Sequence, residues 1–243
     1  MVSRNNIIAK NIIIYSSEKR YKDGIEVGGG YNNTIEDNLL FGCGLYISGN
    51  KSTFVNTTIR NTMVNHKPLI YMVGVKNLTI EGDAGQIIVA LSKNVTIRNV
   101  KIENTNVGIE IVYSNDIRIV NNTIISSEYG ILLGRTNSSI IAYNRMLRNY
   151  YGIFLRDSNN NTITNNEIRG NEWGIYLLGS EDNIIEDNIM KDNQVDIGGG
   201  PLPPIFRIIN ILPYVIPIAA CLLLAALKLF SMWKRKYATR NDA

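Results

Sequence analysis

Scattered carboxylates, one histidine, two cysteines and a set of aromatic residues are the side chains of this chain that could carry chemistry. Acid–base cleavage of a glycosidic bond needs two carboxyl groups about 5–10 Å apart. Asp116 and Asp182, and Glu128 and Glu172, are the pairs that share a sequence phase, and Asp157 follows Arg156 directly. A structural zinc site wants four Cys or His ligands, more than His66, Cys43 and Cys221 supply. Tyr46, Tyr71, Phe154 and Tyr176 offer something different. Each has an apolar ring, and the tyrosines add a polar edge, which together suit the C–H face of a sugar.

What such residues can do depends on what positions them. The chain has 243 residues, 45% of them hydrophobic and 19% charged, so it can bury a core and is not a disordered, charge-rich polymer. Its net charge of +4 gathers partly at the C-terminus, in Lys234, Arg235, Lys236 and Arg240. The body has no basic stripe of the kind that nucleic acid requires. Two cysteines make no disulfide framework.

The organising feature is a repeat of 22 residues. Gly-Ile recurs at Gly108-Ile109, Gly130-Ile131, Gly152-Ile153 and Gly174-Ile175, with Asp196-Ile197 continuing the series. Ile97, Ile119, Ile141, Ile163 and Ile185 form a second column. Ile102, Ile124, Met146, Ile168 and Met190 form a third. Short apolar alternations between polar turns mean short strands with one buried face. One unit cannot bury that face alone, so the units must stack. Upstream, Ile35, Ile59 and Ile80 carry the strand column on with looser spacing. The 17 residues from Ile80 to Ile97 predict a coil lacking one short side. The whole reads as about nine coils.

The repeated phrase, as in Asn161-Thr162-Ile163-Thr164-Asn165-Asn166-Glu167-Ile168 and Gly174-Ile175-Tyr176-Leu177, resembles the right-handed parallel β-helix repeats of pectate-lyase-like proteins, most of all the NosD and carbohydrate-binding/sugar-hydrolase type. The resemblance covers roughly residues 5–198. It implies an all-β, single-stranded parallel β-helix, and it leaves activity open, because this architecture hosts lyases, hydrolases, adhesins and proteins without known activity. The NosD likeness also raises copper, for which His66, Met63 and Met72 are a thin donor set without a second His. No metal site and no cofactor is expected.

Within that frame the recurrent Asn122, Asn144, Asn166 and Asn188, and Asn149, Asn171 and Asn193, predict side-chain ladders at tight corners. The Gly before each Ile predicts a corner with positive φ. Asn-x-Ser/Thr sequons begin at Asn32, Asn50, Asn56, Asn77, Asn94, Asn121, Asn137 and Asn160, and the repeat itself writes them. The outward position of the Gly-Ile-x-Leu strand gives the column Tyr46, Tyr71, Ile88, Glu110, Leu132, Phe154, Tyr176. Tyr46, Tyr71, Phe154 and Tyr176 are therefore the candidate carbohydrate-binding residues, as an exposed ribbon. Tyr129, Tyr151 and Trp173 precede the Gly and are expected to turn into the corner. Stacking places Asp116 three coils from Asp182, about 14 Å, and Glu128 two coils from Glu172, about 10 Å.

Composition changes abruptly at Gly198-Gly199-Gly200-Pro201. The division is a repeat domain over 1–198, a Gly/Pro linker over 199–207, a transmembrane helix over 208–230 and a basic tail over 231–243. The apolar run is long enough to cross a bilayer. Lys234-Arg235-Lys236 after Trp233 then places the C-terminus in the cytoplasm and the repeat outside, as a single-pass protein of the cell membrane. Residues 1–15 show no signal-peptide core and begin inside a coil, so upstream or partner β-helix coils are expected. The functional expectation is a membrane-anchored extracytoplasmic module that binds glycan or builds the envelope. A polysaccharide lyase or glycoside hydrolase is the alternative.

Overall fold

The computed structural model describes residues 5–15, 22–30 and 32–200. The expected span over 208–230 and the tail over 231–243 lie outside the described residues. Among the described residues no helix is long and apolar enough to cross a membrane. The last strand, Val195–Gly200, takes in the first two residues of the expected linker.

Residues 67–200 wind as a three-sided parallel solenoid. The register of successive coils follows the repeat: Ile119 pairs with Ile141 and Ile141 with Ile163 on the first side. Ile124 pairs with Met146 on the second side and Ile131 with Ile153 on the third. These side chains are fully buried. They form one inner core, because a period-two strand that repeats every coil turns the same residues inward each time. The short coil is real: strand Lys76–Glu81 passes to strand Gln86–Ala90 with no second-side strand between them.

The stack is not continuous over nine coils. The fold has about eight turns, divided in two by a hairpin. Met63–Val64 runs antiparallel to Lys67 and Pro68. Asn65 (φ 50°) and His66 (φ 65°) form the two-residue turn between them, both in the left-handed region that such hairpins require. Asn adopts that region readily. Ile59 and Ile80, which share a column in sequence, therefore belong to different sheets. Residues 7–64 make their own short stack. On one of its sides strand Ile7–Ala9 pairs with Asn33–Glu36, which pairs in turn with Thr57–Arg60.

The N-terminal stack lies against the outer face of the third side of the main solenoid. Leu45, Ile47 and Phe54 pack in one cluster with Ile88, Val112 and Leu132, which point away from the inner core. Gln86 fixes the contact: its Nε2 donates to the Leu45 carbonyl (2.6 Å) and its Oε1 accepts from the Leu45 N–H (2.9 Å). Among the described residues the single helix, Lys51–Val55, is capped by the Asn50 side chain.

Two sequence expectations about corners change. Gly108, Gly152 and Gly174 do not have positive φ. They are glycine because a Cβ would lie 2.8, 2.5 and 2.5 Å from the carbonyl oxygens of Gly130, Gly174 and Asp196 in the next coil. Asp196 fills the last such slot. The ladder Asn are likewise not left-handed. That conformation falls on the residue before them, as at Asn121 (φ 56°), Tyr143 (φ 57°) and Asn165 (φ 55°). The ladder Asn turn inward and bond along the stack: Asn122 Nδ2 donates to Asn144 Oδ1 (2.9 Å), and Asn144 Nδ2 to Asn166 Oδ1 (3.0 Å). Each Oδ1 also accepts the backbone N–H of the coil before it. The second ladder runs from Asn149 to Asn171 to Asn193 through backbone N–H groups that donate to the next Oδ1 (2.8 and 3.0 Å).

Candidate functional site

The outward column of the third side is in register as expected. Tyr71 pairs with Ile88, Leu132 with Phe154, and Phe154 with Tyr176. Tyr46 is not in it, because the hairpin puts its strand, Gly44–Ser48, in the N-terminal stack beside Asp23–Gly28. Nor is the column an exposed ribbon. Ile88 and Glu110 are buried beneath the N-terminal stack, and Phe154 is 7% exposed. The Tyr71 hydroxyl donates to the Phe54 carbonyl (2.6 Å), tying it into the contact. Of the four candidates, Phe154 and Tyr176 come together, with rings stacked at 5.5 Å and an interplanar angle of 1°. Tyr71 lies in the contact between the stacks, and Tyr46 reaches from the N-terminal stack to the edge of the pair beside Arg156.

Tyr129, Tyr151 and Trp173 do not turn into the corner. They lie on the third-side strands and join Phe154 and Tyr176. Tyr151 stacks on Tyr129 at 5.0 Å and meets Phe154 and Tyr176 edge-on at 5.0 and 5.4 Å. Trp173 meets Tyr176 edge-on at 5.0 Å. Tyr151, Trp173 and Tyr176 are partly exposed, on the coils beyond Glu110 and Leu132. Gly198 lies beside Tyr176 in the next strand, where a Cβ would enter the Trp173 ring. The result is a partly open aromatic ledge.

At the edge of this ledge the two stacks enclose a group of titratable side chains. Glu110 is 1% exposed, and its Oε2 has no hydrogen-bond partner among the described residues. Burial pushes its carboxyl up to about 8, against the pull of Arg156 and with a further push from Asp23. Glu128 accepts from the Lys22 N–H at 3.4 Å. Burial and then Asp23 raise its carboxyl to about 7, while bonds from Lys22 and Tyr129 oppose the rise. Asp23 is exposed and accepts from Asn106 Nδ2 (2.9 Å). Burial raises the Tyr46 hydroxyl, and the Arg156 guanidinium beside it pulls the other way. Burial lowers the Lys22 ammonium, partly offset by Glu128. Lys22 Nζ donates to Asn104 Oδ1 and to the Ser126 carbonyl, both at 2.7 Å. Such a group can hold protons near neutral pH, donate hydrogen bonds from protonated carboxyls and present a guanidinium.

The sequence-derived acid pairs do not meet. Asp116 is exposed and pairs with Lys93 at 3.3 Å, and Asp182 is exposed on a later coil. Asp157 pairs with Arg135 at 3.5 Å, not with its neighbour Arg156. The grouping of Glu110 with Glu128 escaped sequence reasoning because it depends on the N-terminal stack. One signal was present: a carboxylate at position 110 in an otherwise apolar and aromatic column.

A comparison with protein families matches residues 70–200, more than half of the chain, to the family described as periplasmic copper-binding protein (NosD). Among solved structures, the A-module of the Azotobacter vinelandii mannuronan C-5 epimerase AlgE4 is 13% identical, with a TM-score of 0.37 over 79% of this chain and 81% of that one. The A-module of the epimerase AlgE6 from the same organism is 14% identical, with a TM-score of 0.25 over 76% and 68%. No curated protein matches.

Proposed function

The chain belongs to the NosD family of parallel β-helix proteins, and from that premise we propose that it is an extracytoplasmic glycan-binding module whose binding surface is the aromatic ledge of Tyr151, Phe154, Trp173 and Tyr176. The observation that carries the reading is the ledge: rings from two successive coils, partly open, at 5.0–5.5 Å centroid spacing. A sugar presents C–H faces to such rings, and its hydroxyls reach the tyrosine and Arg156 edges. The apolar run 208–230 followed by Lys234-Arg235-Lys236 supports a tether to the membrane with the solenoid outside. Glycan arrays probed with the full chain test the reading. Binding is expected to fall at least tenfold in Trp173→Ala and Tyr176→Ala and to persist in Tyr143→Ala, an exposed tyrosine remote in register. Equal binding by all three variants overturns it.

Copper, which the family's description implies, does not fit the described residues. His66 lies in the hairpin turn with its ring 4.8 Å from Phe41. Met72 packs against the inner core, Met63 lies in the strand opposite Pro68, and Cys43 is buried against the Ile13 carbonyl. Among the described residues no three His, Cys, Asp or Glu side chains converge. No step is therefore assigned to a metal.

A second reading, cleavage of a polysaccharide, is favoured by one observation: the edge of the ledge holds Glu128 and Glu110, with carboxyls at about 7 and about 8, and the Arg156 guanidinium acts on Glu110. A protonated carboxyl near neutral pH is what a general acid needs. Product release from a panel of neutral and uronic-acid polysaccharides, lost in Glu128→Gln, would establish it. An inactive wild type across the panel would dismiss it.

A further inference from the structure

We propose that two of the coil edges among the described residues recognise each other between copies, so that the coil containing Ile7–Ile14 of one chain stacks on the coil containing Ile184–Lys191 of another. At one edge are strands Ile7–Ala9 and Ile12–Ile14, and at the other Ile184–Glu186 and Ile189–Lys191. Each pair of strands turns one corner with the same spacing: Asn6, Lys10 and Asn11 match Asn183, Asp187 and Asn188. The backbones agree as well. Lys10 and Asp187 have φ of 57° and 54°, and Asn5 and Asp182 both have 56°.

Three properties make the edges complementary rather than merely alike. The first is the Asn ladder, which has a direction. In the main solenoid Asn122, Asn144 and Asn166 each send the backbone N–H to the Oδ1 of the next coil, the last of them to Asn188 (3.0 Å). Asn188, the last rung, has no such acceptor among the described residues. Asn11, the first rung of the other stack, gives its N–H and Nδ2 to Asn38, and its own Oδ1 has no donor there. One edge thus lacks the acceptor and the other the donor. The second is apolar exposure. Ile7 and Ile12 are 71% and 66% exposed, and Ile184 and Ile189 are 54% and 59% exposed, at matching positions. Stacking in the ladder register sets Ile7 on Ile184 and Ile12 on Ile189. The third is charge: the same register sets Lys10 over Asp187.

The contact involves two sides of the coil. On the third side the Cβ of Asp196 fills the slot where a following carbonyl would approach, and its carboxylate closes the ladder by accepting from Asn193 Nδ2 (2.9 Å). The edges in contact differ, so the association is heterologous and adds copies head to tail unless it closes.

Light scattering on the size-fractionated full chain in mild detergent tests this. The wild type is expected to contain two or more copies per particle. Lys10→Asp alone and Asp187→Lys alone are each expected to weaken association about three- to tenfold, because each sets like charges together. Mixing these two variants is expected to restore association, since the aspartate introduced in one copy then faces the lysine introduced in the other. Ile189→Asp, with an unchanged circular dichroism spectrum, is expected to abolish it. A monomeric wild type overturns the proposal, as does association that the charge reversals leave unchanged. Protection of the Ile184 and Ile189 amides in a monomer would assign the edge to other residues of the same chain, and would overturn it as well.

Discussion

Glu110 makes the fold's dependence on pH a quantity that can be measured. Its carboxyl lies in the contact between the two stacks, 1% exposed, with Oε2 unpartnered among the described residues. Burial raises it from 4.5 to about 8. The folded state therefore holds this proton more tightly than the unfolded chain does. The resulting stability is fully present below about 4.5 and is lost as pH rises through about 8. Each tenfold difference in proton affinity is worth about 1.4 kcal/mol, so the loss between pH 5 and pH 9 is on the order of 4 kcal/mol from this group alone. Glu128, raised to about 7, adds a smaller fall with the same sign. The assay is urea unfolding at pH 5, 7 and 9, comparing wild type with Glu110→Gln. The amide keeps the shape and removes the ionisation. The variant is expected to be close to wild type at pH 5 and more stable by several kcal/mol at pH 9. Parallel pH profiles for the two proteins would refute the argument that Glu110 is buried as an acid.

Other perturbations address the ladder and the corners. Asn166→Ala strands the Asn144 backbone N–H and removes one of the acceptors of its Nδ2, and is expected to lower stability by about 1–3 kcal/mol in denaturant unfolding. Asn165→Ala, one residue away and exposed, loses the ease of a left-handed backbone and an exposed bond to the Thr164 hydroxyl, and is expected to lower it by about 1 kcal/mol. Gly152→Ala forces a Cβ to 2.5 Å from the Gly174 carbonyl and is expected to cost several kcal/mol or prevent folding. Asp196→Gly, by contrast, introduces no clash and loses only the exposed bond from Asn193 Nδ2, so it is expected to lower the melting temperature by a few degrees at most. Gln86→Ala removes both bonds to Leu45, and faster hydrogen exchange confined to strand Gly44–Ser48 and its neighbours is its expected signature.

The 22-residue period, the three sides and the inward columns were legible from Ile97 to Ile197 because a stacked coil repeats its own environment. Each inward Ile faces a copy of itself, so the contact appears in the sequence as a recurrence. The short coil before Ile97 was legible for the same reason, as a missing count of residues. What the sequence by itself determined was therefore everything that repeats: strand, register, ladder and core. The tertiary structure alone decided what happens once. The Asn65-His66 hairpin reverses the chain through two left-handed residues, and many Asn in this chain adopt that conformation without reversing anything. That single turn lays residues 7–64 over the third side, covers Glu110, separates Tyr46 from Tyr71 and leaves only the last coils of the aromatic column open. A contact between elements distant in sequence and made once leaves no periodic trace, so apart from the lone carboxylate at position 110 its side chains carry no mark that distinguishes them from a solvated face until the fold brings them together.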